Sequence, residues 1–145
     1  MTTIVYDYKT KQIACDSRVN AGGVIMNDSA EKFRYKGDEI WFFCGNTADE
    51  EHLMSLSHND KLDAWIDCNA LYVKNNTCFL VTFEDDYCKH TELSYSHSIG
   101  SGWKFALSAL DFNCNAENAV MYAAKKDIYT GGKIRVYDIE KAEFL

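Results

Sequence analysis

The sequence contains no proline, only 8 glycines in 145 residues, and no apolar run near the roughly 20 residues that a membrane-spanning helix requires. These absences exclude a Pro-rich linker, a collagen-like repeat and a helical membrane anchor. Positive charge is scarce as well, with 15 Lys+Arg against 22 Asp+Glu and a net charge of -7. Phosphate-backbone binding draws on cationic side chains, so nucleic acid is not an expected partner. No GxSxG, HExxH, Walker loop or GxGxxG followed by a helix occurs. The six cysteines form no CxxC pair; the ten-residue steps Cys68, Cys78, Cys88 with His90 match no usual zinc spacing, and no metal or other cofactor is expected. The N-terminus shows no basic segment followed by an apolar stretch, which gives a cytoplasmic expectation with reduced, buried thiols.

What is present is core-forming material: 47% of the residues are apolar and 14% aromatic. That composition predicts one globular domain over residues 1–145. Thr3–Tyr6 and Gln12–Cys15 read as a hairpin, and Lys32–Tyr35 with Ile40–Cys44 as a second whose return strand is buried. Thr47 supplies a cap residue before an acidic first turn and a short amphipathic helix through Leu56. Asp60–Ile66 fits a turn or two of helix, and Leu71–Val73 fits extended chain. Thr77–Phe83 and the alternating stretch 89–98 read as a third hairpin, followed by helices over 103–112 and 116–125 and a last strand around Ile134, Val136 and Ile139. Strands and helices in that order imply antiparallel sheet covered by helices.

Chemistry is most visible at the second residue. Removal of Met1 would leave Thr2 with a free α-amine beside its own hydroxyl. An α-amine titrates near about 7.7–8.0, so at neutral pH it can take the hydroxyl proton as the oxygen attacks a carbonyl.

Several segments in order sharpen this reading: Met1-Thr2-Thr3-Ile4-Val5, Ala14-Cys15-Asp16-Ser17-Arg18, Lys32, Gly45-Asn46-Thr47-Ala48-Asp49, Ile99-Gly100-Ser101-Gly102 and Asp127-Ile128-Tyr129-Thr130-Gly131-Gly132. Together they resemble the proteasome β-subunits and, more closely, the bacterial peptidase HslV, over about residues 1–57 and 77–139. The resemblance implies an α+β fold of the Ntn-hydrolase type, an αββα four-layer sandwich of two antiparallel sheets, here shortened in one helical layer. It further implies Thr2 as nucleophile, Lys32 as the nearby cation, Asp16 as its counter-ion, and Ser101, Asp127 and Thr130 as a cluster around the terminal amine. A peptide substrate would lie against Asn20, Phe42, Cys44 and Trp103. Homo-oligomeric rings and an AAA+ unfoldase are the implied partners.

The pattern departs from the family at three places. Phe42 aligns with a nearly unvarying glycine whose N–H stabilises the oxyanion, and Trp103 follows Gly-Ser-Gly where small residues are usual. Both are expected to narrow the groove. Residues 58–76 are too short for the family's second helix, and a retained Met1 would tie up the nitrogen of Thr2. The competing expectations are a catalytically inert proteasome-like module for assembly or binding, and an amidase for small molecules.

Overall fold

The computed structural model describes residues 1–145 and arranges them in two five-stranded antiparallel sheets, a two-stranded ribbon and three α-helices. One sheet is built from β1 (Thr3–Asp7), β2 (Gln12–Cys15), β10 (His97–Gly100), β11 (Arg135–Asp138) and β12 (Glu143–Phe144), in the order β10-β1-β2-β11-β12. The other is a meander of β5 (Phe33–Lys36), β6 (Glu39–Gly45), β7 (Cys68–Lys74), β8 (Thr77–Glu84) and β9 (Tyr87–Glu92). The ribbon pairs β3 (Val19–Ala21) with β4 (Val24–Asn27).

Alternation explains how the sheets stack. Ile4, Tyr6, Ile13 and Cys15 point from the first sheet into a shared core with Ile40, Phe42, Cys44, Leu71 and Val73 from the second. Val5, Ala14 and Val136 face the other way, against α2 (Trp103–Asp111) and α3 (Ala116–Lys126). The helices present Ala106, Ala109, Ala116, Ala119 and Ala123 to that sheet. Such small side chains allow close approach of helix to sheet. Each large side chain buried in these layers contributes about 1.5–3 kcal/mol.

The outer face of the second sheet buries Trp41, Phe43, Tyr72 and Val81 under a thinner cover, made of α1 (Glu50–Ser55) and the irregular segment 56–67. The architecture is therefore an αββα sandwich with one reduced helical layer. Asp60–Ile66 is not helical as expected; residues 57–62 instead run along the free edge of β9. Asn59 N–H donates to the Cys88 carbonyl (2.7 Å), Cys88 N–H to the Asp60 carbonyl (2.8 Å) and Leu62 N–H to the Asp86 carbonyl (2.8 Å). His90 N–H donates to His58 Nδ1 at 2.9 Å. Backbone groups that a helix would satisfy internally are satisfied here by the sheet edge, which is thereby closed to other strands.

Two further expectations change, and one extended stretch proves longer than its local signal. The stretch 89–98 is two strands in different sheets, because a break at residues 93–96 sends β10 across to pair with β1. Residues 71–73 belong to a seven-residue strand, β7, whose pairing with both β6 and β8 overrides its weak local signal. The capping residue is Asn46 rather than Thr47, and it caps a single 3₁₀ turn, Thr47–Asp49, that leads into α1, accepting from Ala48 N–H at 3.1 Å.

Candidate active site

Thr2 and Thr3, at the start of β1, are buried, at 5% and 0% exposure. Four segments supply polar groups to this end. The turn after β2 brings Asp16, the approach to β5 brings Lys32, and the loops before α2 and after α3 bring Ser101, Asp127 and Thr130.

Asp16 is wholly buried and fully engaged. Its Oδ1 accepts from Thr3 N–H (3.0 Å) and from Lys32 Nζ (2.9 Å), while Oδ2 accepts from Gly131 N–H (3.0 Å). Lys32 Nζ also donates to the carbonyl oxygen of Met1 at 2.8 Å, so the cation touches the peptide unit that Thr2 shares with Met1. Burial lowers the pKa of Lys32 against the opposing pull of Asp16. The Met1 amine is likewise held below 8.0, first by burial and next by the Lys32 charge.

A second cluster closes the opposite flank. Ser101 Oγ donates to Asp127 Oδ2 (2.5 Å), Thr130 Oγ1 donates to the same oxygen (2.7 Å), and Tyr129 N–H donates to Oδ1 (3.1 Å). Because Thr130 spends its only hydroxyl proton on Asp127, Thr3 Oγ1 is the donor in its 2.7 Å contact with Thr130. Ser101 Oγ also reaches the Thr2 carbonyl at 3.4 Å. Burial acts to raise the Asp127 carboxyl, but its three hydrogen bonds together outweigh that and leave it below the usual range.

A pocket of about 430 Å³ opens beside Thr2, with Asn20, Lys32, Phe43, Gly45 and Thr47 in its wall. The fold thus brings Thr2, Asp16, Lys32, Ser101, Asp127 and Thr130 to one end of the sandwich, and Asn20 to the same pocket. The other three residues expected at the substrate do not border this pocket. The Phe42 ring is 0% exposed and packs between the sheets, so it does not narrow the groove. Cys44 and Trp103 border a separate opening with His97, Ser98 and Gly100. Burial pushes the Cys44 thiol up to about 11, which suits a packing residue better than a reactive one.

Strand parity also moves the expected oxyanion donor. Phe43 N–H points away from β7 and donates to the Lys32 carbonyl at 2.9 Å. The N–H of Phe42 therefore points into the β7 ladder, whereas that of Gly45 shares Phe43's side one step beyond the start of β5, beside the pocket. Gly45 has φ +111, and a Cβ there would stand 2.5 Å from the Asp67 carbonyl oxygen. Only glycine fits. Its place in the Gly45-Asn46-Thr47 motif marked it in the sequence, but the direction of its N–H depends on register. The pocket residues Glu31, Arg34, Phe43 and Glu50 carry no motif signal of their own.

No protein-family model matches the chain, and no curated protein matches it. Solved structures do. The chain is similar to Thiobacillus denitrificans BPH in complex with epoxomicin, with TM-score 0.68 and 18% identity over 94% of this chain and 97% of that one. BPH without that compound gives TM-score 0.68 and 19% identity, covering 94% and 95%. Eukaryotic HslV from Trypanosoma brucei gives TM-score 0.68 and 20% identity, covering 93% and 97%. A TM-score of 0.68 over nearly the whole of both chains establishes the architecture: this chain has the αββα sandwich fold of the HslV and BPH structures.

Proposed function

We propose that the chain, acting as one unit over residues 1–145, is a threonine-type N-terminal-nucleophile hydrolase that cleaves peptide bonds once Met1 has been removed. The observation that carries this reading is Lys32 Nζ. It lies 2.8 Å from the carbonyl at the Met1–Thr2 junction and 2.9 Å from buried Asp16, at the peptide unit whose cleavage would free the Thr2 amine.

In this mechanism the freed amine of Thr2 accepts the hydroxyl proton while Oγ1 adds to the substrate carbonyl. Lys32 favours the deprotonated amine and the developing alkoxide by its charge. The N–H of Gly45 donates to the oxyanion, a contribution worth about 2.7–4 kcal/mol where such donors have been removed. The amine then gives its proton to the leaving nitrogen, the C–N bond breaks and an ester to Thr2 remains. Water adds to that ester, releases the carboxylate product and restores the Thr2 hydroxyl. The cluster of Ser101, Asp127 and Thr130 steadies the nucleophile through the Thr2 carbonyl and through Thr3 Oγ1, and the family resemblance places it around the freed amine. The likeness to HslV supports assembly into homo-oligomeric rings fed by an AAA+ unfoldase. Five buried cysteines with no disulfide fit a cytoplasmic setting.

The test is the intact mass of Met1-free protein before and after incubation with a peptide epoxyketone, an electrophile that needs both an amine and an adjacent hydroxyl. One adduct mapping to Thr2, absent in Thr2→Ala, is the expected result. A Met1-free protein that forms no adduct and turns over no peptide would support the inert assembly module instead.

A further inference from the structure

The pocket beside Thr2 holds three cations, and each already has an acid. Arg18 Nε lies 2.9 Å from Asp28 Oδ1, with its Nη2 3.1 Å from Oδ2. Lys32 is bound to Asp16, and Arg34 Nε lies 3.1 Å from Glu50 Oε1. Two acceptors in the same wall have no partner. Glu31 is exposed and forms no ion pair, and Asn20 Oδ1 is a buried oxygen with no hydrogen bond. A buried acceptor left empty costs free energy that a donor from a ligand recovers. Phe43, Val19 and Ala30 supply apolar wall between these polar groups.

We infer that this pocket selects peptides carrying Arg or Lys on the residue whose carbonyl is attacked. The inference rests on the reading of Thr2 as nucleophile. A long basic side chain lays its methylenes along the Phe43 wall and brings N–H donors to Asn20 Oδ1 and the Glu31 carboxylate. An aliphatic side chain leaves Asn20 Oδ1 empty, and an acidic one meets Glu31 with like charge.

The placement of the peptide follows from the oxyanion donor. Gly45, whose N–H receives the oxyanion in this mechanism, and Lys32 both border the pocket, so the residue that carries the attacked carbonyl lies against it.

The experiment uses three peptide epoxyketones that differ only in the side chain next to the ketone, Arg, Leu or Glu, with Met1-free protein and labelling rates read from intact mass. The Arg reagent is expected to label Thr2 about tenfold faster than the Leu reagent and about a hundredfold faster than the Glu reagent. Glu31→Gln and, separately, Asn20→Leu should each reduce the Arg-to-Leu ratio several-fold. That ratio is insensitive to the fraction of protein folded. Labelling of Thr2 at equal rates, or faster with Leu or Glu, overturns the basic preference while leaving the nucleophile standing. An unchanged ratio in both variants overturns the assignment to these two residues. Failure of all three reagents to label overturns the nucleophile and the preference together.

Discussion

Asp16 and Lys32 form a 2.9 Å ion pair in which the carboxylate is wholly buried and the ammonium 9% exposed. Their attraction offsets a desolvation cost that neither residue could bear alone. Removing one partner strands the other, which typically costs about 3–5 kcal/mol. Asp16→Ala also frees the N–H groups of Thr3 and Gly131, so it is expected to be the more damaging single change. Lys32→Met should destabilise by a similar order and abolish labelling of Thr2. In urea unfolding, the double variant should lose clearly less than the sum of the two singles, because neither partner is then left unpaired. Strict additivity would mean that the pair carries little coupling.

The pH dependence of labelling has a definite sign. Burial and the Lys32 charge lower the Met1 amine, and the same two causes are expected to act on the Thr2 amine once Met1 is removed. Only the unprotonated amine can accept the Thr2 hydroxyl proton. The labelling rate should therefore rise with pH to a plateau, with its midpoint below the ordinary α-amine range of about 7.7–8.0. Adding salt should move the midpoint little, since Lys32 is buried beside it. A rate independent of pH between 5 and 9 would remove the amine from the mechanism.

Most of the layers were legible because the β-branched and apolar runs of β1, β6 and β8 and the alanine-rich periodicity of α3 are local signals. Residues 56–67 were not, since their backbone is satisfied by the distant edge of β9 and no local pattern announces that. The β3–β4 ribbon was missed for a related reason. Val24, Ile25 and Met26 are exposed on both faces, so they lack the alternation that marks a half-buried strand. Within the site, the polar residues were found because motif order preserved them. Phe42 and Cys44 fall outside the pocket beside Thr2 because facing depends on strand parity, which position along the chain does not reveal.

Asp127 links the site to acid stability. Its folded pKa is depressed, so its contribution is present above the unfolded value of about 3.9 and is lost as pH falls through the folded value. Asp127→Asn should lower stability by about 1 kcal/mol or more at pH 6, where the carboxylate's hydrogen bonds are made. The gap between the two proteins should close as pH drops from 5 toward 2. Unfolding midpoints measured across that range check both the size and the direction. A constant gap would mean that Asp127 titrates alike in the folded and unfolded chains.

Gly100 tests whether the position of Thr2 is set by its neighbours. It pairs with Thr3 in the β1–β10 register and adopts φ +96. A Cβ at this residue would stand 2.0 Å from the Thr2 carbonyl oxygen and 2.6 Å from its carbonyl carbon. Both are backbone atoms, so no side-chain rotation relieves the contact. Gly100→Ala should cost about 1–3 kcal/mol for the positive φ alone. The clash must then be relieved by moving β10 or the start of β1. Movement of β1 carries Thr2 away from Lys32 and Gly45 N–H, so labelling should fall by at least about tenfold even in the folded fraction, as small misplacements of reacting groups do. If the variant loses stability but labels at the original rate per folded molecule, the strain is absorbed by β10, and Thr2 is held in place by Asp16 and Thr130 through Thr3.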